Sequence, residues 1–398
     1  MTDAVLTLNA GSSSIKFSLF EARAEGLIPS AGGEIDGIGL EPHLVARVGG
    51  RVVTERRWPA GASLTHETFL DELLSWADAH LGSDTLKAVG HRIVHGGSEF
   101  AAPVRIDAGV LTKLEALIPL APLHQPHNLA AVRAVAKVRP LLVQVACFDT
   151  AFHHGHGPEV YRFGLPREWE ALGVRRYGFH GLSYEFIAQR MGELDPTLAA
   201  GRMIVAHLGN GASVCAIRNG RSIDTTMSFS TLDGLVMGTR CGALDPGVIL
   251  YMEQEHGLAA KAVEDTLYQH SGLLGVSQIS SDMRTLLASA DPKAKDAIDL
   301  FVFRVVREIG ALAFAMGGID GLVFTAGIGE RSPEIRRRVC KKLDWLGVTL
   351  DGAANAQGDG RISAADSALA VWATPTDEEL MIARHTMAII DEGCQRDA

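Results

Sequence analysis

A short turn near the N-terminus concentrates groups that bind anions. Gly11 is followed by Ser12, Ser13 and Ser14, and Lys16 comes two residues later. A turn without bulky side chains exposes backbone N–H groups, and the hydroxyls and the ammonium group add further donors. A plain hairpin turn needs fewer donors, so the pattern favours phosphate binding. It is not a Walker A loop, because the GK[ST] ending is missing and a strand follows instead of a helix.

Four charged or titratable side chains stand where proteins often place catalytic groups. Arg92 ends a predicted strand and Arg240 lies among glycines. A guanidinium in such a setting suits a carboxylate or a phosphate. Asp149 follows the apolar run 141–148, at the carboxyl end of a predicted buried strand, and His180 precedes a glycine. Ordinary alternatives are a surface ion pair for the arginines, a helix cap for Asp149, and a core or surface position for His180.

Two Gly-x-Gly sequences and a histidine cluster carry weaker signals. Residues 209–211 and 327–329 contain the glycine pairs, which alone say little about nucleotide binding. His153, His154 and His156 have the composition of a metal site. Neighbouring histidines on one loop seldom converge, so we expect no metal to bind there.

The composition excludes several classes of protein. The chain has 398 residues, 47% hydrophobic and 21% charged, which indicates two folded domains. With a net charge of −10 and no basic run, the sequence predicts neither a nucleic-acid partner nor a membrane partner. The cysteines form no CxxC pair and the N-terminal residues do not resemble a signal peptide, so we expect a cytoplasmic protein. Charged residues interrupt the apolar stretch 300–319, which is predicted to be a buried helix.

A repeated pattern indicates an α/β protein with a duplicated lobe. Residues 5–20 and 203–217 each contain an apolar strand, a glycine-containing turn and a second strand. Asn219 and Gly220 then predict a hairpin into a further strand, 221–229. Other strands are predicted at 86–94, 141–148 and 321–325, and helices at 67–80, 128–138, 184–191, 261–269 and 297–316.

Two helix starts and one domain boundary complete the predicted organisation. Ser332 and Pro333 predict an N-cap and a first helical residue, and Thr376 with Glu379 predicts a capping box before the final helix. We place the boundary near residue 150. The predicted N-terminal lobe is 1–150, completed by the helix 377–392, and the C-terminal nucleotide-binding lobe is 151–376.

Nine segments together resemble the acetate kinase family in order and spacing over nearly the whole chain. Any one of them could occur by chance, but nine in register identify the chain as a member of this family. The matching segments are LNAGSSSIKF at 8–17, GHRIVHGG at 90–97, FDTAFH at 148–153, RRYGFHGLSY at 175–184, HLGNGAS at 207–213, DTTMSFSTLDGLVMGTRCGALDPG at 224–247, SSDMR at 280–284, FTAGIGE at 324–330 and TDEEL at 376–380.

The resemblance implies a fold and a reaction. The fold is α/β, with two duplicated actin-like (ribonuclease H-like) lobes, a cleft between them that holds ATP, and assembly as a homodimer. The reaction is reversible transfer of the γ-phosphoryl group of ATP to acetate, giving acetyl phosphate and ADP, with Mg²⁺ or Mn²⁺. Because the carboxylate of acetate is already a nucleophile, positioning and charge neutralisation matter more than deprotonation.

The resemblance also implies residue roles by matching position. Asp149, His180 and Arg240 match catalytic residues. His180 and Arg240 stabilise the phosphoryl group during its transfer, whereas Asp149 orients other groups or helps to bind the metal ion. Arg92 and Val94 match the acetate-binding residues. The implied metal ligands are Asn9 and Glu378. The implied ATP-binding residues are Lys16, His207, Leu208, Gly209, Asn210, Gly211, Asp282, Met283, Arg284, Gly327, Ile328, Gly329, Glu330 and Arg331.

Two positions depart from the family pattern. Arg331 stands where Asn is common, which bears on an adenine or ribose contact, and Thr231 stands where Pro is common beside the acyl group. Val94 keeps the residue of an acetate-sized pocket. Two alternatives remain: a kinase for propionate or another short-chain fatty acid, and a chaperone-type ATPase of the same superfold. The second is disfavoured because the motifs run from residue 8 to residue 380 and leave no room for a peptide-binding module.

Overall fold

The computed structural model describes residues 2–11, 13–59, 64 and 66–396, with side chains as far as residue 392. Ser12, one of the serines of the first turn, lies outside the described residues. The chain divides into two compact units, Met1–Ala151 with Asp377–Ala398, and Phe152–Thr376. We call them unit 1 and unit 2.

Unit 1 is built on a mixed sheet with helices on both faces. Residues Phe69 and Leu73 of one helix pack with Leu8 on one face, and Ala383 of the C-terminal helix packs with Val5 on the other. In the described part, eight strands take the order β5-β4-β3-β2-β1-β6-β8-β7. The elements are β1 (Asp3–Ala10), β2 (Ile15–Arg23), β3 (Gly26–Asp36), β4 (His43–Val48), β5 (Arg51–Arg57), α1 (His66–Leu81), β6 (Thr85–Ile93), β7 (Val104–Arg105), α2 (Ala108–Ala116), α3 (Gln125–Val138), β8 (Val143–Phe148) and the C-terminal helix (Glu378–Arg396).

Unit 2 contains a second mixed sheet, of six strands among the described residues, in the order β11-β10-β9-β12-β14-β13. Its core includes Tyr184, Val205 and Val323, all fully buried. The elements are α4 (Pro158–Tyr161), α5 (Arg167–Ala171), α6 (Gly181–Leu194), α7 (Pro196–Ala200), β9 (Arg202–Leu208), β10 (Ala212–Arg218), β11 (Arg221–Thr225), α8 (Pro246–Gln254), α9 (Ala260–Gln269), α10 (Gly272–Ser277), α11 (Met283–Ala288), α12 (Pro292–Ala315), β12 (Gly321–Thr325), α13 (Ala326–Arg331), α14 (Pro333–Lys341), α15 (Gly352–Gln357), β13 (Gly360–Arg361) and β14 (Ala370–Ala373). The C-terminal helix is therefore α16.

The two sheets repeat one arrangement. In unit 1, β3, β2 and β1 are antiparallel neighbours, and β1 continues into the parallel strands β6 and β8. In unit 2, β11, β10 and β9 are antiparallel in the same way, and β9 continues into the parallel strands β12 and β14. The predicted α/β fold with two duplicated actin-like lobes is confirmed.

Several local predictions are also confirmed. Asn219 and Gly220 have positive φ angles of 52° and 71°, as a two-residue hairpin requires. The side chain of Ser332 accepts a hydrogen bond from the Ile335 backbone N–H at the start of α14. The apolar stretch 300–319 lies mostly in α12, whose inner face is buried. Among the described residues, none of the helices combines the length and hydrophobicity that a membrane span requires.

Two local predictions were wrong. The capping box at Thr376 does not form, because the Thr376 backbone N–H donates to Glu330 instead. The helix is capped one residue later, where Asp377 accepts from the Leu380 N–H at 2.8 Å. The strand predicted at 221–229 ends at Thr225. Beyond that point the chain leaves the sheet, and the Ser228 carbonyl accepts from the backbone N–H groups of residues 177 and 178 instead.

Candidate active site

Three of the predicted site residues in unit 1 lie at one edge of its sheet. Arg92 and Asp149 occupy or follow the carboxyl ends of the parallel strands β6 and β8, and Asn9 lies near the carboxyl end of β1, which is parallel to β6. Parallel neighbours bring their carboxyl ends together, which is where open α/β sheets bind ligands. The topology itself therefore assembles this group.

Arg92 is the centre of the unit 1 group. Its Nε donates to Asp149 Oδ1 at 2.9 Å and its Nη2 donates to Asp149 Oδ2, so the carboxylate is held by both oxygens. Its Nη1 donates to Asn9 Oδ1 at 3.2 Å, and its Nε lies 3.7 Å from Glu378 Oε2 at the start of α16. One guanidinium thus orients two carboxylates and one amide oxygen.

Burial sets the electrostatics of this group. Burial raises the pKa of Asp149 to about 6, the charge on Glu378 adds to the shift, and Arg92 opposes both. Burial opposes the charge on Arg92, but the carboxylates of Asp149 and Glu378 raise its pKa above the ordinary value. Two carboxylates around one guanidinium give the group a net negative charge, and oxygen atoms line it. Such a donor set suits a hard divalent cation, which takes one or two carboxylates with other oxygen ligands.

The apolar and phosphate-side candidates of unit 1 flank this group. Val94 is buried, and its backbone N–H donates to Asn128 Oδ1 at 3.0 Å. Asn128 Nδ2 donates to the Ala10 carbonyl at 2.7 Å, so one α3 side chain joins the loops that follow β1 and β6. Lys16 pairs with Asn9 across the β1–β2 hairpin. Together with Arg47 and other residues, Lys16 lines a groove of about 490 Å³.

In unit 2, two predicted histidines form a stacked pair. The rings of His180 and His207 lie 4.1 Å apart with an interplanar angle of 17°. The Nδ1 atom of His180 is 2.8 Å from Ser213 Oγ, and that of His207 is 2.8 Å from Ser183 Oγ. Tyr184 hydrogen-bonds to the same Ser213 hydroxyl. Serine hydroxyls therefore fix the orientation of both rings.

The glycine turn after β9 and the loop of Arg240 converge on this pair. A Cβ at Gly211 would lie 3.4 Å from His180 Nε2 and 3.8 Å from Arg240 Nη1. A Cβ at Gly238 would lie 2.0 Å from Asn210 Oδ1, so a larger residue there would displace the Asn210 side chain. Arg240 Nη1 donates to the carbonyl oxygen of Thr231 at 2.9 Å. That contact uses the backbone of Thr231, so proline at 231 would keep the acceptor.

A cavity of about 900 Å³ lies beside these glycines, within the size range of small-molecule sites. Two Gly-rich segments meet at it because β12 is parallel to β9, with Thr325 beside His207. Asp282 also caps α11 and pairs with Arg284, which lowers the pKa of Asp282 to about 2. The predicted ATP-binding residues that line the cavity are Gly209, Asn210, Asp282, Met283, Arg284, Gly327, Ile328 and Arg331.

The remaining members of these segments have other contacts. Leu208 is fully buried, and Glu330 accepts from the Thr376 backbone N–H at 3.2 Å. The Gly329 and Glu330 carbonyls each accept from Arg336 Nη1 at 2.7 Å. Arg336 is fully buried, and its Nε donates to Asn355 Oδ1 at 2.9 Å. The segment 327–331, in which the sequence showed only a Gly-x-Gly pair, lies in the helix α13, and Arg336 holds two carbonyl groups of that helix.

Sequence reasoning missed several supporting residues. Asn128, Ser183, Ser213 and Arg336 are all at least 96% buried. Each interrupts an otherwise apolar helix face or strand, and a buried polar group is stable only when it is hydrogen-bonded. A polar residue at an apolar position was the signal that could have identified them.

The expectation that the neighbouring histidines of residues 153–156 do not converge was wrong for two of them. His153 and His156 do converge, with ring centroids 5.6 Å apart. They converge on a hydroxyl: His153 Nδ1 and His156 Nε2 lie 2.7 Å and 2.8 Å from Ser222 Oγ. Among the described residues, no group of three or more His, Cys, Asp or Glu side chains is arranged to hold a metal ion.

Comparison with known proteins gives one consistent answer. The sequence profile of the acetokinase family matches residues 4–384. The chain is 54% identical to an acetate kinase of Rhodopseudomonas palustris strain TIE-1, over 99% of this chain and 100% of the relative. A solved acetate kinase of Porphyromonas gingivalis is 38% identical, with a TM-score of 0.88, covering 98% and 100% of the two chains. A propionate kinase of Francisella tularensis is 34% identical, with a TM-score of 0.89, covering 96% and 98%.

Proposed function

This chain belongs to the acetokinase family, and we propose that it catalyses reversible transfer of the γ-phosphoryl group of ATP to acetate. The observation that carries the choice of acceptor is in unit 1. The guanidinium of Arg92 is held by the carboxylate of Asp149, and Val94, two residues further along the chain, has a buried apolar side chain. Guanidinium N–H groups suit a carboxylate and a buried apolar side chain suits a short alkyl group, so this pair of residues matches a short-chain carboxylic acid.

The residues of unit 2 supply the other half of the reaction. The cavity of about 900 Å³ is large enough for a nucleotide, which supports assigning the ATP site to it. Arg240, beside Gly211, neutralises charge on the phosphoryl group as it moves, and His180 donates a hydrogen bond to it. The acetate carboxylate attacks phosphorus without losing a proton, so no general base is required. Asp149 keeps Arg92 oriented instead.

Asn9 and Glu378 are the proposed ligands of Mg²⁺, which Mn²⁺ could replace. Both contribute oxygen atoms to the group around Arg92, and oxygen is what Mg²⁺ requires. The ion would neutralise phosphate charge. Arg92 holds both oxygen ligands in place and balances the negative charge of Glu378.

Three further parts of the proposal follow from family membership alone. We infer a homodimer, a cytoplasmic location and ATP/ADP as the nucleotide pair. The Rhodopseudomonas palustris relative is named an acetate kinase, and its whole length aligns with this chain.

The second candidate is a kinase for propionate or another short-chain fatty acid. The similarity to the solved propionate kinase of Francisella tularensis favours keeping it, because a TM-score of 0.89 shows that the fold does not separate the two activities. Thr231, in place of a stiffer proline, is the feature of this sequence that bears on the choice.

An acyl-hydroxamate assay with MgATP tests the proposal. We expect turnover with acetate, less with propionate and butyrate, and none when EDTA removes the metal. ATP hydrolysis that continues without any acid would indicate the chaperone-type ATPase and refute the transferase. Equal kcat/KM for acetate and propionate would assign the second candidate instead.

A further inference from the structure

A buried hydrogen-bond chain in unit 2 leads to the backbone beside His180. Its members are His156, Ser222, His153 and the carbonyl of Phe179, and all three side chains are buried. Ser222 lies on β11, and the histidines lie in the loop between β8 and α4. None of these three side chains has a part in the reaction described above.

The hydrogen positions along this chain follow from its chemistry. The Nε2 atom of His153 faces the Phe179 carbonyl at 3.0 Å, and a carbonyl only accepts, so Nε2 carries the hydrogen. Burial lowers the pKa of His153 to about 3, so the ring is neutral and its Nδ1 accepts from the Ser222 hydroxyl. The Ser222 oxygen then accepts from His156 Nε2. Every donor points towards residue 179.

The backbone at the end of this chain is unusual. Gly178 and His180, on either side of Phe179, have φ angles of +82° and +58°. A left-handed conformation is unfavourable for a residue with a Cβ and persists only where surrounding contacts impose it. A Cβ at Gly178 would lie 2.6 Å from the His153 ring, so the ring packs directly against this segment.

We propose that His153, supported by Ser222 and His156, is a positioning residue for His180. Its bond to the Phe179 carbonyl holds the left-handed turn from which the His180 ring reaches Ser213 and stacks on His207. The inference rests on the proposed function, because it takes His180 as a group that acts on the phosphoryl group.

Three variants test this inference in the hydroxamate assay. His153→Gln keeps an N–H donor that can reach the Phe179 carbonyl, His153→Leu removes it, and His154→Gln is the control at the next position. Misplacing a catalytic group by about 1 Å lowers rates by on the order of a hundredfold. We therefore expect His153→Leu to lower kcat by tenfold to a hundredfold while the KM values for acetate and ATP change less than about threefold. His153→Gln should restore most of kcat.

The outcomes separate positioning from simple stability. A loss of kcat that is equal in the Leu and Gln variants and parallels their melting temperatures would overturn the inference, as would an unchanged kcat in His153→Leu. If that variant does not fold, Ser222→Ala replaces it: a lowered kcat at constant KM supports the chain, and wild-type kcat overturns it. A wild-type enzyme without acetate-dependent turnover would instead refute the proposed function, on which this inference depends.

Discussion

The candidate groups of the two units hold their residues in different ways. In unit 1, charge holds charge: Arg92 binds Asp149 by both oxygens and lies near Glu378. In unit 2, neutral hydroxyls orient the His180 and His207 rings, and Arg240 contacts a backbone carbonyl. The first arrangement creates a carboxylate- and cation-binding edge. The second sets the Arg240 guanidinium beside Gly211 in the glycine turn after β9, which suits a group that must meet charge on a ligand.

Acidification should produce the largest effect on stability and distinguish the units. Burial lowers the pKa values of His91 and His95 in unit 1 to about 4, and those of His153 and His156 in unit 2 to about 3 and 4. The unfolded histidines take up protons as the pH falls below about 6.5, whereas the folded ones do not, so stability present above that pH is lost on acidification.

Between pH 6.5 and 5.5 each buried histidine should lower the free energy of unfolding by about 1 kcal/mol. Asp149 acts in the opposite sense, because its raised pKa lets the folded state bind a proton first. We expect a total loss of about 3 kcal/mol in urea unfolding, with unit 2 the more sensitive in hydrogen exchange. His156→Gln should remove about 1 kcal/mol of the pH dependence. A pH-independent free energy of unfolding would contradict the neutral assignment of these rings.

Arg240→Ala tests the role proposed for the Arg240 guanidinium in unit 2. If this guanidinium acts mainly on the charge of the phosphoryl group during its transfer, kcat should fall by on the order of a hundredfold or more, with a smaller change in the KM for ATP. Arg284→Ala is the control, because Arg284 lines the same cavity but is paired with Asp282. A near-normal kcat for Arg240→Ala, or an equal loss in the control, would reject the role.

The sequence predicted what depends on local pattern. The hairpin at Asn219 and Gly220 and the cap at Ser332 follow from the conformations that these residues prefer. The helix start at 376 was wrong, because Glu330, 46 positions earlier, binds the Thr376 amide. The left-handed conformation of His180 had no local signal either. Such features depend on partners far away in sequence, which a pattern of single residues does not contain.

The site shows the same division. The residues that a ligand would meet, such as Arg92, stand in motifs that the sequence displays. Two of the residues behind them, Asn128 and Arg336, stand outside these motifs. Asn128 contacts the backbone of residues 10 and 94, which only the fold brings together. Resemblance identified the motifs, but the supporting hydrogen bonds required coordinates.

Val94→Ala tests whether the apolar side chain in unit 1 is the specificity wall. Removing two methyl groups should raise kcat/KM for propionate relative to acetate by roughly tenfold and spare the KM for ATP, since one methylene is worth about 1–3 kcal/mol in a closed pocket. Val89→Ala is the matched control, a fully buried valine on β6, the strand that Val94 follows. If wild type uses propionate as well as acetate and Val94→Ala changes neither, Val94 is not the wall.

Arg336→Lys should give the smallest effect and tests how unit 2 supports its nucleotide segment. The Arg336 guanidinium reaches two carbonyls of α13 and both oxygens of Asn355, and a lysine ammonium cannot reproduce that planar fork. α13 should become less well ordered, and the KM for ATP should rise about fivefold while kcat stays within about twofold.

Arg337→Lys is the control: the same substitution at the adjacent position, where the exposed side chain pairs with Glu334. Because Arg336 is fully buried, its replacement also lowers the melting temperature, so the kinetics are measured well below it. Equal KM values for ATP in the two variants would show that Arg336 supports the fold of unit 2 without shaping the nucleotide site, and the comparison between the units would then rest on His180, His207 and Arg240 alone.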